Sequence, residues 1–65
     1  MNNAMMNQLK EVLKNHPLSV FLCAFLDGKV DDDTNGFCLT TIATAIPAED
    51  FQLYSDFSYW YFFER

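Results

Sequence analysis

The chain has 65 residues, of which 51% are hydrophobic and 17% aromatic, and its formal net charge is −5. A chain of this length holds one core in a single domain, residues 1–65, and buries only about 60% of the surface that its unfolded form exposes. A catalytic cleft would take buried area from that small core, which points away from an enzyme. With only four Lys and Arg, there is no basic stripe for direct nucleic-acid binding.

The first predicted element is a helix over Asn3 to Asn15. Met5, Met6, Leu9, Val12 and Leu13 recur at helical spacing, while Asn7, Gln8, Lys10, Glu11 and Lys14 face elsewhere. Asn2 or Asn3 can cap its first amides, and Lys14 and His16 suit its negative end. Pro17 disfavours helical backbone at His16 and so supplies the stop.

Leu18 to Leu26 is apolar on both alternating sets of residues. Periodicity alone does not separate a strand buried on both faces from a short core helix. Val20, Phe21 and Phe25 suit a pleated surface and Asp27-Gly28 is a turn signal, so the expectation is a strand. Phe37 to Ile46, rich in Thr and Ile and bounded by Asn35-Gly36 and Pro47, reads as a second strand. The polar residues Asp27 to Gly36 between them then form a long acidic hairpin loop.

Pro47, Ala48, Glu49 and Asp50 resemble the first turn of a short helix that extends as far as Tyr54. Phe57 to Glu64 reads as a third strand, with Phe57, Tyr59, Tyr61 and Phe63 on one face and Ser58, Trp60, Phe62 and Glu64 on the other. The predicted fold is therefore α+β: an N-terminal helix packed on a three-stranded, mainly antiparallel sheet, with a short helix between strands two and three.

No cofactor is expected. Asp31-Asp32-Asp33-Thr34-Asn35-Gly36 matches the opening of a calcium loop, but Leu39 and Ile42 occupy its ninth and twelfth positions, where oxygen ligands belong. No metal site follows, and a solvated turn is the simpler account. Cys23 and Cys38 lack zinc-site spacing and read as reduced core residues, with a cross-strand disulfide as the alternative. His16, the single histidine, reads as a capping group, since nothing in its spacing sets it beside either cysteine as a base. Leu18 to Leu26, the longest apolar run, is too short to span a bilayer, so the expected location is the cytoplasm, without membrane attachment.

Charge is unevenly placed. Residues 1–30 hold Lys10, Lys14 and Lys29 against Glu11 and Asp27, whereas residues 31–65 hold seven acids against Arg65. Such a region repels nucleic acid and attracts a basic groove on another protein. The candidate partner-binding residues are Asp31, Asp32, Asp33, Glu49, Asp50 and Asp56, standing in for phosphates, with Tyr59, Trp60 and Tyr61 as aromatic anchors. The reading is a DNA-mimicking, non-enzymatic inhibitor of a nucleic-acid-binding protein. Its alternative is a self-associating or accessory subunit, homo-oligomers included, held through the aromatic strand, with the acids serving solubility.

The small size, the run Asp31 to Asp33, the stretch Glu49 to Phe57 and the aromatic tail together resemble the acidic anti-CRISPR proteins of phages and mobile elements that act on type I surveillance complexes. The likeness lies in whole-chain character and in no motif, so it transfers no residue roles. It implies stoichiometric binding to a DNA-recognition subunit in the host cytoplasm, blocking capture of target DNA.

Overall fold

The computed structural model describes residues 3–32 and 36–65. It is helical throughout: α1 spans Asn3–Leu13, α2 Ser19–Leu26, α3 Phe37–Ala45 and α4 Phe51–Phe63, with a 3-10 turn at Ala48–Asp50 leading into α4. No strand occurs among the described residues, which corrects the expected α+β fold. All three runs read as strands, Leu18 to Leu26, Phe37 to Ile46 and Phe57 to Glu64, are helical over most of their length. The acidic segment between the first two therefore joins helices instead of closing a hairpin.

The reason lies in which residues are buried. Leu22, Phe25 and Leu26 of α2 are buried, as are Cys38, Leu39 and Ile42 of α3 and Ile46 just beyond it. Those spacings, of three, four and seven or eight residues, are helical and not alternate. The same period places Leu53, Tyr54, Phe57, Trp60 and Tyr61 of α4 toward the core, and Met5, Met6, Leu9, Val12 and Leu13 of α1. The three misread runs carry apolar residues on their outer positions as well, so alternation and helical spacing both fitted them.

The turn signals act as helix stops and starts. The Lys29 N–H donates to the Ala24 carbonyl at 2.8 Å and the Gly28 N–H to that of Phe25 at 3.0 Å, with Gly28 at φ 78°. This pair of bonds is the Schellman ending of a helix, which requires the left-handed residue that Asp27-Gly28 provides. Before α2, the Leu18 N–H donates to Nδ1 of His16 at 3.0 Å, so the histidine side chain is engaged in the turn between α1 and α2 instead of on the last carbonyls of α1.

Gly36 stands at the N-cap of α3 with φ 69° and has no side chain to offer its amides. Asp32 serves in its place: Oδ1 accepts from the Cys38 N–H at 2.7 Å and Oδ2 from the Leu39 N–H at 3.4 Å. These are the second and third amides of the helix, the ones a capping side chain normally satisfies, and the carboxylate also lies at the positive end of the helix. Thr41 and Thr44 bond their hydroxyls to carbonyls of the preceding turn, at Phe37 and Thr41, which accommodates these β-branched residues in α3. The extended backbone of Ile46, at ψ 130°, before Pro47 ends that helix. The short helix expected from Pro47 is present and runs past Tyr54 to Phe63.

Helix α1 packs on α2 and α4, and α3 packs on α4 and α2, so the four close a ring round one core. Phe57 sits in it at 1% exposure, edge-on to Phe25 with ring centroids 6.0 Å apart. Cys23 is half-buried and Cys38 buried; both are free, and with no strands to pair, the cross-strand disulfide has no basis.

Far-UV circular dichroism should accordingly show a helical spectrum without a sheet component. Asp32→Ala should cost about 1 kcal/mol through loss of the α3 cap, lowering Tm by roughly 4–8 °C for a domain of this size. An unchanged melting curve would remove the capping role. Phe57→Ala should cost about 3–5 kcal/mol, comparable with the ~3–10 kcal/mol available to a chain this short, and leave it largely unfolded.

Candidate functional site

Helix α4 is apolar round most of its circumference, and burying one side leaves rings on the other. Phe51, Ser55, Tyr59 and Phe62 follow one another at intervals of four, four and three residues, a stripe about 16 Å long at 1.5 Å per residue. Phe51 is 48% exposed, Tyr59 58%, Phe62 64% and the adjoining Phe63 75%. Tyr59 and Phe63 lie against each other with centroids 5.1 Å apart. Small monomeric proteins rarely leave several large rings together in water, and such patches mark interaction sites.

The polar residues bordering this stripe are acidic or neutral. Glu49 and Asp50 precede it, and Asp56 accepts a hydrogen bond from Gln52 at 2.9 Å one turn along. Among the described residues, none of these three carboxylates has an ion-pair partner. Lys10 pairs instead with Asp27, and Lys14 with Glu11. Arg65, the one base in this half, lies over the ring of Tyr61 at 4.0 Å from its centroid, a cation–π contact.

The residues expected to bind a partner therefore fall into separate groups. Glu49, Asp50, Asp56 and Tyr59 share the 3-10 turn and α4. Asp31 is exposed, and Asp32 is half-buried in its capping role. Asp33 lies outside the described residues. Asp31 and Asp32 precede α3, whereas Glu49 and Asp50 follow it, so the acids belong to two groups on different elements. Trp60 and Tyr61 are half-buried: their rings pack on Phe57 with centroids 6.1 and 6.0 Å away. They serve the core more than the surface. Phe62 and Phe63 belong to the aromatic run already read as apolar on both faces, but a period of 3.6, not of two, is what sets them and Phe51 on the outward side with Tyr59.

A second exposed pair, Phe21 of α2 and Phe37 of α3, meets edge to face at 6.3 Å and so partly covers itself. Among the described residues, no group of His, Cys, Asp or Glu is arranged to hold a metal ion, and no helix is long and apolar enough to cross a membrane. Leu39 and Ile42, which stand where a calcium loop needs oxygen ligands, are buried in α3.

Phe62→Ser and Phe63→Ser should leave stability within about 0.5 kcal/mol of the parent, since both residues are exposed, whereas Trp60→Ala should lower it by more. A thermal melt of the three variants checks this. Equal losses would mean that the outer rings belong to the core. Compared with protein-family models, with curated proteins and with solved structures, the chain matches none.

Proposed function

We propose that this chain is a non-enzymatic docking protein that binds a protein partner through the outward face of α4. The observation that carries the reading is the exposure of Tyr59, Phe62 and Phe63 on a helix that also carries Asp56 and is preceded by Glu49 and Asp50. Aromatic rings bury much area for little lost conformational freedom and dominate interface energetics when they enter a pocket. Acids around them add long-range attraction and reject acidic partners. The fitting partner has an apolar pocket with a basic rim.

A protein groove that normally holds nucleic acid has that rim. In an inhibitor of such a protein, Glu49, Asp50 and Asp56 beside the aromatic stripe stand in for phosphates, and the group at Asp31 and Asp32 is secondary because Asp32 is engaged by α3. The resemblance to anti-CRISPR proteins gives the partner a concrete form, a DNA-recognition subunit of a type I surveillance complex. What supports that form is size, charge and surface.

The test is binding of purified type I surveillance complexes, at low and high salt, by the parent and by Phe62→Ser. The parent should bind, with affinity that falls as salt rises and that drops about 30-fold in the variant, the effect of losing a ~2 kcal/mol anchor. Binding that ignores both salt and Phe62 would overturn the docking face. No binding by any complex, together with no loss of immunity in a plasmid-interference assay, would remove this partner.

A further inference from the structure

On the side of the molecule formed by α1 and α2 lies an open groove of about 440 Å³. Lys10 and Lys14 of α1 and Lys29 after α2 line it, with Val20, Cys23 and Ala24 of α2. Three of the four basic residues of an acidic chain thus converge on one depression with apolar walls. Only part of this charge is offset: Lys10 is bonded to Asp27, also in the groove, and Lys14 to the exposed Glu11. Lys29 has no carboxylate within ion-pair distance among the described residues.

An apolar depression with a cationic rim is the counterpart of the face that α4 presents, an aromatic stripe edged by Glu49, Asp50 and Asp56. We infer that the groove receives the α4 face of a second copy of this chain. Within one copy the contact is not made, because both surfaces remain exposed: Val20 is 85% exposed and Phe63 75%. Between copies, charge complementarity fixes which surface meets which, since two α4 faces, or two grooves, would set like charges together. Each copy carries both halves of the contact, so a twofold pair would fill two grooves at once, and an unclosed arrangement would grow head to tail.

This inference rests on reading α4 as a docking surface, but its failure is separable from a failure of that reading. Sedimentation velocity on the parent at rising concentration in low salt should show a dimer or larger species that dissociates in high salt. Lys14→Glu/Lys29→Glu and Glu49→Lys/Asp50→Lys should each weaken self-association by roughly tenfold or more while keeping the parent's circular dichroism spectrum. An equimolar mixture of the two variants should associate again, because the reversed charges then face each other. A parent that stays monomeric at every concentration overturns the inference and leaves binding of another partner through Phe62 untouched. Self-association that neither charge reversal weakens overturns it as well, as does a mixture that does not recover.

Discussion

The fold depends on the contact of Phe57 with Phe25, where side chains of the opposite helices α4 and α2 meet across the core. Helices of eight to thirteen residues are marginal in water when isolated, so none of the four is stable by itself. Each becomes so by giving one side to a common core in which Phe57 is the largest fully buried side chain. Trp60 and Tyr61 extend that contact one turn along α4, and Leu9, Leu22 and Ile42 bring in the other three helices. No polar or charged side chain is buried among the described residues. Backbone groups at the helix ends are met by local devices: the Gly28 and Lys29 amides donate to carbonyls at the end of α2, and the carboxylate of Asp32 accepts from the first amides of α3.

So small a core shapes the surface. A four-helix ring of this length has one interior, and α4 brings more rings than one interior takes. Those left over emerge on the outward side of α4, near Asp56, while the lysines gather on α1 and after α2. The molecule is thus divided into an aromatic, acidic side and a basic, apolar groove. Its functional readings all draw on that division.

The sequence made α1 legible because its apolar and polar residues separate cleanly: Leu9 and Leu13 are buried where the spacing put them. The stops at Pro17, Gly28 and Pro47 and the turn at Ala48 to Asp50 were also visible as signals. What misled was their interpretation. Asp27-Gly28 serves a helix end as well as a hairpin, and the choice is made by long-range packing. In Leu18 to Leu26, Phe37 to Ile46 and Phe57 to Glu64, apolar residues fill nearly every position, so neither period stands out, and β-branched and aromatic content tipped the reading the wrong way. The error carried into the site. Choosing Trp60 and Tyr61 as anchors ahead of Phe62 follows from counting by twos where the chain turns by 3.6. The acidic region itself was legible from composition, whereas the use of Asp32, four residues before Gly36, to cap the amides of Cys38 and Leu39 is a longer-range contact than any local pattern encodes.

The placement of Trp60 has an optical consequence. It is the chain's single tryptophan and lies against Phe57, at the junction on which every helix relies. Its indole emission therefore monitors the integrity of the whole ring through one native chromophore. Because the indole is half-buried, unfolding exposes it to water and moves that emission to longer wavelength.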